Sequence, residues 1–126
     1  MDGFFARFLR RIIGVAPIYW SRISNKEILA KVNAVPLSNL LLEQQQIYFG
    51  KMYRLPNTDI RRQFVFQNDS CNLRKIGLRD RERPRAQWNK ELLFHAELAV
   101  GGRVSLVASM SDEAFWKSRN REYCRK

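Results

Sequence analysis

Hydrophobic residues recur every three or four positions in five stretches of this chain, which is the spacing of one face of an α-helix. The pattern predicts an all-α protein, a small irregular bundle of about five helices. The longest helix is expected to begin after Pro36 and to run to Leu55, where Pro56 ends it. Its predicted core stripe, interrupted by Gln44, contains Leu37, Leu41, Tyr48, Met52 and Leu55.

The N-terminal stretch has an apolar stripe and a basic side. Arg7, Arg10 and Arg11 share the basic side, and we expect an ordinary helix with its apolar stripe against the core and this side outermost. Two alternatives stay open, a targeting presequence and a peripheral membrane helix. The apolar stripe consists of Phe4, Phe5, Phe8, Leu9, Ile12 and Ile13.

A second helix is predicted from its capping chemistry. Ser24 and Glu27 form the S-x-x-E pattern of a capping box, and Ile23 and Ile28 occupy the positions of a hydrophobic staple. The helix is short, and isolated helices of this length are marginal, so it depends on packing. Its predicted core face is Ile28, Leu29 and Val32.

The middle of the chain has less regular patterning. Residues 60–66 are compatible with a short helix or, because Phe64-Val65-Phe66 is β-prone, with a short extended segment. From Asn68 to Arg83 hydrophobic periodicity is absent, which predicts a basic loop or linker. We therefore expect an N-terminal helical core of three main helices over 1–67, a loop over 68–83, and a C-terminal helical pair over 84–126. That pair is packed on the same domain or loosely attached.

The C-terminal pair is bounded by glycine and by capping residues. Helical spacing resumes at Pro84 and ends at Gly101-Gly102. The final helix is expected to start near Ser111-Asp112-Glu113, whose side chains suit a helix N-terminus. The first of these helices repeats Trp88, Leu92, His95, Ala96 and Ala99, and the buried or half-buried side of the second contains Phe115, Trp116, Arg119 and Tyr123.

The chain is strongly basic, with 23 Lys and Arg against 12 Asp and Glu and a formal charge of +11. Such a surface attracts polyanions through counterion release, so RNA or DNA is the expected partner. No window reaches the roughly 18 apolar residues of a bilayer-spanning helix, and we expect a soluble protein with no membrane partner. Cys71 and Cys124 lack ligand-like or scaffold-like spacing, which predicts free thiols in an intracellular compartment, nuclear or cytoplasmic.

The densest cationic cluster precedes the fourth long helix. Arg79, Arg81, Arg83 and Arg85 lie within seven residues, shortly before Trp88. We predict that these arginines contact phosphate and that Trp88 is a stacking platform for a base. Arg10 and Arg11 are predicted as secondary contacts, while a solvated loop that binds nothing specific is the simpler interpretation of the cluster.

The sequence contains no recognisable catalytic pattern. His95 is the only histidine, and no serine or cysteine is spaced to be its nucleophilic partner. We find no metal-binding or phosphate-cradling motif, so we expect no catalytic residue, no metal, no cofactor and no enzyme activity. A small basic nuclease, the remaining enzymatic alternative, would need bound metal or a site centred on His95.

Four segments occur in an order typical of one protein family, and a fifth, from Trp116 to Cys124, is similar to the tail of some members. Together they resemble the segment that follows the polymerase core in non-LTR (LINE-type) retrotransposon reverse transcriptases. The four segments are Arg10-Arg11-Ile12-Ile13-Gly14, then Trp20-Ser21-Arg22-Ile23-Ser24-Asn25-Lys26-Glu27-Ile28-Leu29, then Pro36-Leu37 through Tyr48-Phe49-Gly50-Lys51-Met52-Tyr53-Arg54-Leu55-Pro56, and Arg83-Pro84-Arg85-Ala86-Gln87-Trp88.

The resemblance implies a role without polymerase chemistry. The metal-binding aspartates and the endonuclease of that family lie outside this chain, and the resembled region helps to hold template RNA or target DNA. We therefore expect a non-catalytic fragment of a retroelement reverse transcriptase that binds nucleic-acid backbone without sequence preference. Other parts of such a reverse transcriptase are possible partners. The alternative is a protein-interaction or self-association module that uses exposed apolar helix faces.

Overall fold

The computed structural model describes residues 1–67, 72–73 and 88–125 of the 126-residue chain. Within these ranges the protein is all-α, as predicted, but it has eight helices where about five were expected. The one β feature among the described residues is an isolated antiparallel bridge between Phe66 and Leu73. The helices are α1 (Asp2–Ile12), α2 (Ile18–Ser21), α3 (Asn25–Val32), α4 (Leu37–Arg54), α5 (Ile60–Val65), α6 (Trp88–Val100), α7 (Arg103–Ser111) and α8 (Glu113–Arg125).

The centre of the bundle is the packing of α4 against α8. Trp116 of α8 is fully buried, and its indole Nε1 donates to the backbone carbonyl of Gln46 at 2.7 Å. The ring lies directly over Gly50, where a Cβ atom would come within 2.3 Å of the indole nitrogen. Only glycine allows this approach, so α4 and α8 are in closer contact than side chains on both helices would permit.

Two amide side chains join this contact to neighbouring backbone. Gln46 donates from Nε2 to the carbonyl of Leu92 on α6 at 2.8 Å, and Asn120 donates from Nδ2 to the carbonyl of Trp116 at 2.7 Å. Both amides are fully buried, where a hydrogen bond offsets much of the cost of leaving water. The surrounding apolar core contains Phe49, Met52, Val65, Phe66, Leu92, Ala96, Leu106 and Met110.

The predicted core stripes of α4 and α8 are partly wrong. Leu41 and Tyr48 are exposed on the outer side of α4, and Phe115 is exposed on α8. Polar and small residues occupy buried positions of α4 because neighbouring helices supply their partners: α8 packs Trp116 on Gly50 and places Arg121 and Arg125 beside Glu43, and α6 supplies the Leu92 carbonyl to Gln46. The buried residues of α4 are Glu43, Gln46, Phe49, Gly50 and Met52, and those of α8 are Trp116, Asn120 and Cys124.

The helix boundaries follow local chemistry. Ser24 and Glu27 form the predicted capping box, with the Ser24 amide donating to Glu27 Oε2 at 2.7 Å. Asp112 accepts hydrogen bonds from the first backbone amides of α8, as predicted for its N-terminus. Gly101 and Gly102 have φ of +83° and +142°, which favour glycine and which separate α6 from an unpredicted helix, α7.

The two helices on either side of these glycines are bent by 92° to each other. No single described helix has the length and apolar composition to cross a membrane, although α6 and α7 taken together reach both. Both contribute to the core, α6 through Leu92 and Ala96 and α7 through Leu106 and Met110.

The N-terminal helix faces the core differently from its prediction. Ala6 and Leu9 pack inward together with Arg10, whereas Phe4 and Phe8 are exposed on the opposite side beside Arg7, Arg11 and Ile12. The apolar stripe is wider than the contact with the bundle, so only part of it is buried. The expectation that the apolar stripe packs against the core with the basic side outermost is therefore partly wrong, because Phe4, Phe8 and Ile12 are exposed and Arg10 is buried.

Residues 60–66 combine both forms that the sequence left open. Ile60–Val65 is a single short helix, capped by Asp59, and Phe66 leaves it in extended conformation to form the bridge with Leu73. Of the loop predicted from Asn68 to Arg83, only Asn72 and Leu73 are described. Pro84 also lies outside the described residues.

Candidate nucleic-acid interface

The four arginines predicted to contact phosphate belong to a part of the chain that the structure does not describe. Arg79, Arg81, Arg83 and Arg85 lie between 74 and 87, a range that contains six Lys or Arg and two Asp or Glu. The residues on either side of this range are described. They show where the described chain stops before this basic segment, at Leu73, and where it resumes, at Trp88, so the candidate interface is built from these two points.

The chain enters the segment from the bridge between Phe66 and Leu73, which we call the departure point. The amide of Gln67 donates to the carbonyl of Asn72 at 2.7 Å, which adds a second backbone link beside the bridge. Phe66 is buried, with its ring 5.1 Å from that of Phe49 between centroids, and Leu73 packs against the core cluster. Leu73 is therefore held on the bundle immediately before the basic segment.

A buried arginine supports this departure point. The Arg62 guanidinium donates to the carbonyls of Tyr53 and Leu55, the latter at 3.0 Å, where α4 ends. Its carbon also lies 5.0 Å from the centre of the Tyr53 ring and 6.0 Å from that of Phe66. Such cation–π contacts favour a cation over an aromatic face. Arg62 thus joins the end of α4 to the residue that carries the bridge.

The segment returns at Trp88, the first residue of α6. The next residues toward the core, Asn89 and Leu92, are buried, which fixes this end of the helix. Trp88 itself is 38% exposed. Part of its indole face is therefore accessible, as base stacking requires, and its role as a stacking platform stays a prediction.

Sequence reasoning missed one cation at the departure point. Arg103, the first residue of α7, donates from Nη2 to the side-chain oxygen of Asn72 at 2.9 Å, and its Nε lies 3.8 Å from Glu97 Oε1. The side chain remains more than half exposed. The only signal for it was a basic residue directly after Gly101-Gly102, which gave no indication of spatial proximity to residue 72.

Arg10 has a structural role that does not fit its predicted phosphate contact. Its side chain is only 3% exposed, and its two terminal nitrogens donate to Ala16, Ser21, Ile23 and Asn25. The Ala16 and Ser21 bonds are both 3.2 Å. Because these acceptors occupy the guanidinium inside the protein, Arg10 fixes the chain between α1 and α3 and is not placed to meet a polyanion.

Its neighbour Arg11 lies on the outer face of α1 and is exposed. Among the described residues it has no ion pair, so its charge is available to a ligand. The structure therefore separates two arginines that the sequence grouped together. Arg11 stays a predicted phosphate contact, at a different part of the bundle from the residues that flank the basic segment.

Most carboxylates of the described residues are engaged within the protein. Hydrogen bonds from Ser38 lower the pKa of Asp2, and the Arg61 side chain does the same for Asp59. Glu43 is buried and lies 3.4 Å from Arg121 Nε and 3.4 Å from Arg125 Nε. These carboxylates are therefore paired with nearby groups of the protein, and the excess of Lys and Arg makes the net charge of the surface positive.

The groups with possible catalytic chemistry are held in structural contacts. His95 Nδ1 lies 2.9 Å from the Tyr123 hydroxyl, and this contact joins α6 to α8. Cys124 is a free thiol, and burial raises its pKa to about 11, so it is protonated at neutral pH. No cluster of three His, Cys, Asp or Glu suited to a metal ion occurs among the residues that the structure describes.

Comparison with protein-family models, with curated proteins and with solved structures finds no match to this chain. The resemblance to retrotransposon reverse transcriptases therefore stays a prediction that depends on the sequence segments alone.

Proposed function

We propose that this chain is a non-catalytic helical module that binds the phosphate backbone of RNA or DNA without sequence preference. The observation that carries the proposal is the attachment of the basic segment 74–87 to the bundle on both sides, at Leu73 and at Trp88. Both ends of the segment are attached to the bundle, with Arg103 bonded to Asn72 beside one end and Trp88 at the other. A high local density of cations favours polyanion binding.

The resemblance to non-LTR reverse transcriptases independently supports a role in nucleic-acid binding. The segments that carry it include Arg83, Arg85 and Trp88, and the resembled region lies beside a polymerase that handles RNA and DNA. On this proposal the chain is a fragment of a retroelement reverse transcriptase that holds nucleic acid and performs no chemistry. Other parts of such an enzyme would be its protein partners, in the nucleus or the cytoplasm.

Salt dependence tests this proposal directly. Binding of fluorescent single-stranded RNA and of duplex DNA is measured by anisotropy over a series of salt concentrations. Changing Arg79, Arg81, Arg83 and Arg85 to glutamine should reduce the slope of log K against log salt by about three for RNA and about four for duplex DNA, because each contacted phosphate releases counterions. The loss of affinity should be similar for unrelated sequences.

The matched control changes four exposed lysines outside the segment, so that the net charge falls by the same amount. Lys26, Lys31, Lys51 and Lys90 are all exposed and suit this purpose. If the lysine variant loses as much affinity and slope as the arginine variant, binding reflects overall charge and the proposed site is wrong. Binding that is undetectable at low salt, or that ignores salt, would refute the proposed function itself.

A second candidate function, protein interaction or self-association, is favoured by apolar side chains on outer helix faces. Ile60 and Phe64 of α5 are exposed one turn apart, and so are Phe94 and Leu98 of α6. Pairs at this spacing form one patch on a helix surface. Light scattering tests this function, because a monodisperse monomer over a wide concentration range would exclude self-association.

A further inference from the structure

One surface of the described residues that the packing of the bundle does not explain is formed by the outer face of α1 and by α2. Phe4, Phe8 and Ile12 are separated by four residues each and form one exposed apolar row, with Phe4 72% exposed. The inward face of α1 is already occupied by Ala6 and Leu9. The row therefore lies outside the bundle core. Its exposure to water is unfavourable in free energy, and a ligand that covered it would remove this cost.

The short helix α2 continues this apolar surface. Ile18 is exposed, and Tyr19 and Trp20 are 80% and 76% exposed, with their rings in edge-to-face contact at 5.2 Å between centroids. Phe8 and Ile18 line one open cavity of about 550 Å³ between α1 and α2. The two helices thus border a common groove, which we call the N-terminal groove, and Tyr19 and Trp20 directly follow Ile18, which lines it.

The buried Arg10 holds the two sides of this groove together. Its guanidinium donates to Ala16 just before α2 and to Ser21 at the end of α2. Because Arg10 belongs to α1, these bonds fix α2 relative to α1. The aromatic residues of α2 are therefore presented on a rigid support, which reduces the entropy lost when they contact a ligand.

The surface is also positively charged. Arg7 and Arg11 are exposed beside the row of Phe4 and Phe8 and line the same cavity. The only two acidic residues in the first 35, Asp2 and Glu27, are engaged by serines in hydrogen bonds. No ion pair involving Arg7 or Arg11 occurs within the described ranges. The ligand of this surface should therefore be both apolar and anionic.

We propose that the N-terminal groove, together with the exposed Tyr19 and Trp20 of α2, binds to an anionic membrane surface. Phe4, Phe8 and Trp20 would enter the boundary between headgroups and acyl chains, where aromatic side chains are favoured, and Arg7 and Arg11 would meet lipid phosphates. Binding in the plane of the interface requires no helix that spans the bilayer. The peripheral membrane helix, one of the alternatives for the N-terminal stretch, is thus favoured by the exposure of its apolar row.

Two other occupants satisfy only part of this chemistry. A second copy of the chain would cover the apolar row but would bring Arg7 and Arg11 against a molecule that also carries a charge of +11. A nucleic acid would neutralise the arginines but would leave aliphatic side chains such as Ile12 and Ile18 in water. An anionic lipid surface covers the apolar side chains and neutralises the cations at once.

Tryptophan fluorescence with lipid vesicles tests the proposal. The measurement uses a Trp88→Phe variant, in which Trp20 and Trp116 are the remaining tryptophans. Since Trp116 is already buried, a change in emission wavelength reports on the exposed Trp20. We expect a blue shift with vesicles of phosphatidylcholine and phosphatidylglycerol, and a much smaller one with phosphatidylcholine alone. Quenching of Trp20 by lipids brominated on their acyl chains should accompany the shift and would show insertion below the headgroups.

Two pairs of variants separate apolar from electrostatic contributions. The double change Phe4→Gln with Phe8→Gln, which leaves the net charge unchanged, should reduce vesicle partitioning at least tenfold, whereas Ile60→Gln with Phe64→Gln, at two exposed apolar positions of α5, should change it less than twofold. Replacing Arg7 and Arg11 by glutamine should reduce partitioning into anionic vesicles about 25-fold, since each cation near such a surface contributes about fivefold. Circular dichroism checks that every variant stays folded.

Several outcomes would overturn this proposal. Absence of partitioning into anionic vesicles would do so, and so would equal effects of the Ile60→Gln, Phe64→Gln and the Phe4→Gln, Phe8→Gln changes. A concentration-dependent dimer abolished by the latter change would identify a second copy as the occupant. Loss of RNA binding in the same variant, without any vesicle effect, would identify base stacking, while the arginine variants of segment 74–87 report separately on the proposed function.

Discussion

Replacing Gly50 by alanine should disrupt the contact at the centre of the bundle. The added Cβ would lie 2.3 Å from Trp116 Nε1 and 2.5 Å from its Cδ1, well inside any normal carbon contact. The ring cannot move freely, because it is fully buried and donates to the Gln46 carbonyl at 2.7 Å. Either the hydrogen bond breaks or the two helices separate.

The magnitude follows from three contributions. Overpacking of a well-packed core costs about 1 to 3 kcal/mol. A buried indole N–H left without its acceptor costs about 1 to 3 kcal/mol more. Alanine in a helix interior regains about 1 kcal/mol relative to glycine. We therefore expect Gly50→Ala to lower the free energy of unfolding by about 1 to 5 kcal/mol, which corresponds to roughly 4 to 20 °C in Tm for a chain of this size.

Thermal and guanidinium unfolding followed by circular dichroism measure this change. The control is Gly3→Ala, because Gly3 also lies in a helix but a Cβ there would meet no atom within 4 Å. That variant should be unchanged or slightly more stable. If Gly50→Ala unfolds at the same temperature as the Gly3 variant, the described proximity of Trp116 to α4 is wrong.

Three further measurements test other parts of the structure. Arg10→Met should lower the free energy of unfolding by about 2 to 4 kcal/mol and speed amide exchange around α2, because the backbone carbonyls that accept from Arg10 lose their donor. The control Arg11→Met alters an exposed residue and should have neither effect. The capping hydrogen bonds lower the pKa of Glu27 from 4.5. A carboxylate with a lowered folded-state pKa stabilises fully above the ordinary value and loses that contribution as the pH falls through the lowered one. Stability should therefore decline in acid below about pH 4.5, and less steeply in Glu27→Gln; parallel profiles would contradict this. In a Cys71→Ser background, Cys124 should resist thiol reagents at pH 8 until guanidinium unfolds the chain, because burial raises its pKa to about 11; rapid native labelling would contradict its burial.

The features predicted correctly depend on residues close together in sequence. The capping box of Ser24 and Glu27, the Gly101-Gly102 break and the capping role of Asp112 each arise within a few positions, so a single stretch contains all the information. Helical class follows in the same way from periodicity. These signals established the all-α class and most of the long helices.

The features predicted wrongly depend on partners distant in sequence. The core face of α4 is displaced from its apolar stripe because Trp116, on another helix, requires Gly50 beneath it and the Gln46 carbonyl beside it. Arg10 looks like a surface cation in sequence, and only the fold of residues 16–25 supplies its acceptors. α7 was missed because Arg103–Ser111 has mixed small, polar and apolar residues without a clear stripe.

The sequence predicted which residues the candidate site contains but not how they are positioned in the fold. The density of arginines between 74 and 87 can be read from the sequence, but the attachment of this segment to the bundle through the Phe66–Leu73 bridge cannot, since Phe66 is β-prone but nothing in the sequence pairs it with Leu73. The involvement of Arg103 likewise depends on a contact across 31 positions. Local patterns indicated which residues carry charge, and the tertiary structure determined which charges lie near one another.

The buried carboxylate of Glu43 has a consequence for how the molecule meets any polyanion. Arg121 and Arg125 are half exposed, yet both point their Nε toward this acid. A phosphate approaching them would compete with Glu43, and success would leave a negative charge stranded in the interior. The two cations at the end of α8 are therefore already paired with Glu43. The formal charge of the chain overstates the number of positive groups that are available to a ligand.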